Sequence, residues 1–319
     1  MFAVLTLASF IVGQAQNVGK PPQPRESGAP PLSNPLKVAL LKWYSANTVP
    51  TTFPTGQQPY GICFDGENVW TANFASNTVS KLRANDGTNL GTFPVGDRPI
   101  GVVFDGANIW VTNQYSANVT KLRASDGKAL GTFGVGGMPF WPAFDGTNIW
   151  VPNFGDGTVT ILRASDGKNL GTIDTGGAIA AAFDGTYIWL STYKSSVIRL
   201  KPNGSNAGTF SVGNSPLGIA FDGADVWVAN RDSDTVTKLR ASDGSVLGTF
   251  STPGGPYGLV FDGADIWATL NSTGVVVKLR PSDGAQLAIF GACCGPAGAA
   301  FDGANVWVSG TDSNTASKL

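Results

Sequence analysis

The tripeptide Phe-Asp-Gly occurs seven times, beginning at Phe64, Phe104, Phe144, Phe183, Phe221, Phe261 and Phe301, in steps of 40, 40, 39, 38, 40 and 40 residues. A tryptophan follows each of these phenylalanines at one fixed distance: Trp70, Trp110, Trp150, Trp189, Trp227, Trp267 and Trp307. A period of this length demands a repeat architecture, in which each unit hides its apolar face against the next. One period reads as four short strands. Residues 101–104 are apolar, Asp105-Gly106 is a tight-turn dipeptide, residues 109–113 form a second apolar run, and residues 119–122 alternate polar with apolar. Asp126-Gly127 then turns the chain into residues 130–135. Four strands in about 40 residues is the length of a propeller blade, and no helical pattern interrupts them. The expected fold is therefore all-β: a seven-bladed β-propeller with four antiparallel strands per blade.

The two ends of the chain complement each other. Lys318-Leu319 falls inside the third strand of the seventh unit, which lacks a fourth. Thr52-Phe53-Pro54-Thr55-Gly56 aligns with Thr92-Phe93-Pro94-Val95-Gly96, a fourth strand and its following turn. An N-terminal strand is expected to complete the last blade and close the ring, leaving only short protected edges. The propeller then occupies residues 49–319. Residues 1–15 read as a signal peptide, with an apolar run at 2–12 too short to span a bilayer and small residues up to Ala15. Residues 16–48 are Pro-rich and read as a linker. The expectation is a secreted or periplasmic monomer.

Charge and composition narrow the function. Lys and Arg number 21 against 22 Asp and Glu, a net charge of −1. That offers no general attraction for nucleic acid and no stable membrane insertion. The chain has no His, which removes Ser–His–Asp triads, His general bases and His-ligated zinc. Glu occurs only at Glu26 and Glu67.

The run FDGANIWVTN, followed by VTKLRASDG and LGTF, resembles the YVTN-type propeller repeats and the streptogramin (virginiamycin B) lyase-like superfamily. The resemblance spans residues 51–319. It implies the propeller fold and, for the lyases, a metal-dependent ring-opening elimination that uses a His general base and acidic metal ligands. No residue here can take the His role, so no catalytic residue is carried over. A metal-dependent lactonase of the gluconolactonase type shares the architecture and would need Glu, Asp and Asn ligands converging on the axis. Only Asp97, Asp156 and Asp174 stand off-pattern near the expected face, in different blades. The reading that fits best is a non-catalytic binding or scaffold propeller with no cofactor and no metal, whose partner is a small molecule, a glycan or a protein; a metal-dependent propeller enzyme is the alternative.

A residue present in all seven units serves the fold, since a single site needs asymmetry. The Phe-Asp-Gly aspartates are expected to bond their own turns, the tryptophans to pack between blades, and Lys121 and Arg123 to lie as solvated charges on one strand face. Residues that break the repeat are the informative ones. They fall in the loops joining fourth to first strands and second to third strands, the face on which propellers receive ligands. The candidates there are Tyr60, Arg98, Tyr115, Phe140, Trp141, Phe154, Tyr193 and Tyr257, with Phe74, Arg231 and Asp232 among the other loop residues. Trp141 stands where the other units have Gly61, Gly101, Ala180, Gly218, Gly258 and Gly298, so it is expected to project into the channel mouth. Of the three cysteines, either Cys293 and Cys294 bond to each other or Cys63 pairs with one of them and latches the closure.

Overall fold

The computed structural model describes residues 51–292 and 294–319; the expected signal peptide, the whole linker, residues 49–50 of the expected propeller and Cys293 lie outside the described residues. The described residues form seven four-stranded antiparallel sheets. The first blade comprises Pro59–Phe64, Asn68–Asn73, Thr78–Arg83 and Asn89–Pro94, paired in that order from the axis outward. The inner strands of consecutive blades touch, and that of the first also touches that of the seventh, closing the ring. Thr51–Pro54 pairs antiparallel with Thr315–Lys318, Phe53 opposite Ala316, and so supplies the outer strand of the seventh blade as expected.

The Asp-to-Trp spacing has a specific cause. Asp145 Oδ1 accepts the backbone N–H groups of Thr147 and Asn148 at 2.8 and 2.6 Å, which shapes the turn. Its Oδ2 accepts the indole N–H of Trp150 at 2.7 Å. All seven blades repeat the indole–carboxylate bond at 2.7–2.8 Å. One carboxylate thus satisfies a turn and the one polar atom of a large ring that is otherwise fully buried in six of seven blades. The turn role of these aspartates was legible in the sequence; the indole role was not.

Each tryptophan is packed on further sides. Trp70 tilts against Phe93 of the outer strand at 5.6 Å between ring centroids. Trp307 tilts against Phe53 at 5.4 Å, so the N-terminal strand reproduces the same contact. Phe93 also lies over Gly127 of the next blade, where φ is +74° and any Cβ would collide with the ring. Phe53 lies over Gly87 of the first blade in the same way. The lysines correct the expectation of solvated charge. Lys121 is buried, its Nζ 4.8 Å from the Trp110 ring centroid and donating to the carbonyl of Ala164 in the next blade at 2.7 Å. Lys81 reaches Ala124 at 2.7 Å and Lys318 reaches Ala84 at 2.9 Å, so the same staple crosses the closure. Arg123, two residues beyond Lys121, is the exposed one and pairs with Asp126 at 3.1 Å.

The third blade departs from the pattern. Its inner strand is only Ala143–Phe144, because Pro142 has no N–H to give the ladder. Trp141 instead pairs with the fourth blade: its N–H donates to Ile179 at 3.2 Å and its carbonyl accepts from Ala181 at 3.0 Å. Elsewhere that position is crowded by neighbouring backbone; a Cβ on Gly218 would lie 2.6 Å from the Tyr257 carbonyl oxygen.

Cys63 and Cys294 are not bonded to each other. The expected latch between them is therefore absent, because Cys63 packs into the core between the first two blades rather than toward the closure. Burial, with the Asp65 charge as a lesser cause, raises its thiol pKa well above the usual value and leaves it a packing residue.

Trp150→Ala is expected to destabilise the fold by about 3–5 kcal/mol in denaturant unfolding; a near-neutral result would show that the interblade ring is not a principal support. A pH dependence follows from the aspartates. Burial acts to raise the carboxyl pKa of Asp105, Asp262 and Asp302, but the indole and turn hydrogen bonds outweigh it and hold all three below the usual range. Their stabilisation is complete above about pH 4, the ordinary carboxylate value, and is lost as pH falls through the lower native values. The thermal midpoint should be flat near neutrality and fall below about pH 4.

Candidate functional site

The loops on one face are held by a repeated set of backbone bonds. Phe74 N–H donates to Gln58 O at 2.9 Å, Tyr115 N–H to Asp97 O at 3.2 Å, Phe154 N–H to Met138 O at 3.0 Å and Tyr193 N–H to Gly177 O at 3.2 Å. Each bond ties the residues just after a second strand to the loop entering the same blade. Gln58, Arg98, Met138 and Ser215 sit in the left-handed region at φ values of 49–54°. Asn314 Oδ1 and Asn77 Oδ1, in the turns of the preceding blades, accept the N–H groups of Gln58 and Arg98 at 2.9 Å. The scaffold therefore sets the loop backbone, and side chains can vary upon it without loss of the fold.

What varies forms one array. Tyr115 meets Phe74 at 6.3 Å between ring centroids, Phe74 meets Tyr60 at 5.3 Å, and Tyr60 meets Tyr257 at 6.4 Å. Tyr257 meets Trp141 edge-on at 5.2 Å, and Trp141 meets Phe140 at 5.8 Å. Phe140 meets Phe154 at 5.9 Å, and Phe154 meets Tyr193 at 5.9 Å. Eight rings from five blades thus run unbroken across the face and over the axis. Tyr115 and Tyr193, its ends, are 63% and 61% exposed. The guanidinium of Arg98 lies 4.9 Å from Phe74 and 5.6 Å from Tyr115, a cation–π position. Seven of the eight sequence candidates are rings of this array, and the eighth, Arg98, lies against two of its rings. Phe74 completes it, and its signal was a loop position equivalent to those of Phe154 and Tyr193.

Two cavities border the array. One, of about 110 Å³, is the axial channel beneath Trp141 and Tyr257, walled by Gly61, Ile62, Val102, Gly218 and Leu259 among others. Trp141 and Tyr257, which come from the third and sixth blades, meet edge-on against this cavity and both line it. The other, of about 170 Å³, lies between Phe140, Phe154, Tyr193 and Tyr257, with Ser215, Leu217 and Arg231 as its far wall. It sits at the irregular third-to-fourth blade junction. Arg231 Nε donates to Asp232 at 2.8 Å, and Ser215 Oγ donates to the other Asp232 oxygen. These two bonds, that from Arg231 first, hold the Asp232 carboxyl below its usual range. Burial raises the pKa of Tyr257, with Tyr60 adding to it and Arg231 opposing, so its phenol stays a neutral donor far above physiological pH.

Among the described residues no three His, Cys, Asp or Glu side chains are grouped to hold a metal ion. Asp97, Asp156 and Asp174 do not converge on the axis; Asp156, for one, caps Gly137 N–H at 2.6 Å. No described helix is long and apolar enough to cross a membrane.

No family model matches the chain, and no curated protein matches it in sequence. Solved structures do match. Streptogramin B lyase gives a TM-score of 0.72 at 18% identity, covering 85% of this chain and 96% of that one. The chain has the fold of the streptogramin B lyases. Virginiamycin B lyase from Staphylococcus aureus gives 0.72 at 17% identity, covering 85% and 98%. Hydrazine synthase from Kuenenia stuttgartiensis gives 0.73 at 17% identity, covering 82% and 95%. At this identity the likeness is one of fold, and one propeller fold serves unrelated chemistries.

Alkaline titration of tyrosine absorbance should show a late-ionising group that is missing in Tyr257→Phe. If the variant titrates like the parent, the buried setting of Tyr257 is wrong.

Proposed function

We propose that this chain is an exported, non-catalytic propeller that binds a ligand on the aromatic face. The observation that carries this reading is the unbroken eight-ring array. No ring in it stands at a position that is aromatic in all seven blades, whereas the residues common to all seven blades are occupied with turns, indole capping and interblade packing. Packing alone explains buried aromatics, but the two ends of this array are exposed, and one of them, Tyr193, lines a preformed apolar groove of about 170 Å³. A lyase or lactonase of the metal-dependent kind finds no support in the side chains: the chain has no His, and its face acids are dispersed.

A thermal-shift screen of soluble glycans, peptides and macrocyclic depsipeptides tests the proposal, because a ligand that prefers the native state raises the unfolding midpoint. Any ligand found should lose about tenfold in affinity or more in Tyr193→Ala and in Phe154→Ala, each variant losing a contact worth at least about 1.4 kcal/mol, while Leu90→Ala on the outer rim binds as the parent does. Equal affinity in all three variants, or a screen with no ligand, would overturn the proposal.

A further inference from the structure

Resting on that reading of the face, we infer that its ligand is a neutral polyhydroxylated chain, that is, an uncharged oligosaccharide or polysaccharide. The face has two unlike halves. The residues that follow the second strands are Phe74, Phe154 and Tyr193 in the first, third and fourth blades, all in the ring array. Their equivalents in the fifth, sixth and seventh blades are Arg231, Asn271 and Thr311. A polar depression of about 470 Å³ on this second half shares Arg231 and Tyr257 with the aromatic groove. A ligand lying across the face therefore has one side on aromatic rings and the other among hydrogen-bonding groups.

The polar half specifies what those groups want. Its charged side chains among the described residues are one cation, Arg231, against three carboxylates, Asp232, Asp234 and Asp312. The cation is already bound to Asp232 at 2.8 Å. Excess negative charge repels phosphorylated, sulfated and uronic ligands. Ionised carboxylates only accept hydrogen bonds, so the ligand must be rich in donors. Proline-rich peptide, the other ligand that aromatic grooves commonly take, lacks N–H donors and offers carbonyls, the wrong partner for carboxylates. A sugar ring meets both demands, with an axial C–H face for the aromatics and hydroxyl donors at its edge. An apolar cavity of about 150 Å³ admits a six-membered ring, and the groove offers about 170 Å³. The rings spread over five blades, so several consecutive sugars can be engaged rather than one.

Affinity electrophoresis of the full chain in native gels tests this. The gels contain hydroxyethyl cellulose, laminarin or galactomannan as neutral probes, and alginate or polygalacturonate as anionic ones; fluorescent decaproline is titrated separately. The expected result is retardation by at least one neutral polysaccharide and by neither anionic one. Apparent affinity should drop about tenfold or more in Tyr193→Ala and in Asp234→Ala, with unchanged thermal midpoints. Retardation by no neutral polysaccharide, or by anionic ones alone, overturns the inference. Binding of decaproline that depends on Tyr193, with neutral glycans ignored, overturns the ligand class and leaves the aromatic face as the site. Retardation that neither substitution alters overturns both the class and the site.

Discussion

The bond between each Phe-Asp-Gly carboxylate and the indole five residues later is the constraint on which the propeller depends. A tryptophan is the largest wedge available for the space between two twisted sheets, but it brings one N–H that cannot be left unpaired in a dry interface. Placing the acceptor in the turn that joins the first two strands solves this locally, within one blade. The same carboxylate also accepts the turn's own N–H groups, so turn geometry and ring position are set together. The outer-strand aromatic and the lysine staple then act between blades, the first pressing on a glycine that can carry no side chain, the second tying a carbonyl of the neighbour.

This division leaves the loop face free to vary. The bonds that fix the loop backbone involve peptide groups, turn asparagines and serines, and Asp156, not the aromatic side chains of the array. A blade can therefore exchange Gln114 for Phe154 or Arg231 at an equivalent position without disturbing its neighbours. Function in such a molecule lies in the differences among blades. The largest difference is in the third, where the inner strand is shortened at Pro142 and Trp141 pairs with the fourth blade. A bulky ring at a position otherwise restricted to Gly or Ala becomes part of the lining of the axial cavity.

Much of this was legible in one dimension. The Phe-Asp-Gly period determined blade number, strand order and the turn aspartates, since a forty-residue unit of alternating apolar runs and Asp-Gly turns has no other compact solution. The match between residues 52–56 and 92–96 determined how the ring closes, and Phe53 against Trp307 is its physical form. The candidate face could be found by asking which residues break the repeat. Tertiary structure decided the rest. Lys121 and Arg123 share one strand face, yet one is buried beneath the next blade and the other is in solvent, because burial depends on the neighbour's backbone and not on the strand's own pattern. Cys63 packs between the first two blades rather than toward Cys294. And only the closing of the ring brings Tyr257 of the sixth blade against Trp141 of the third and Tyr60 of the first, joining residues far apart in sequence into one array.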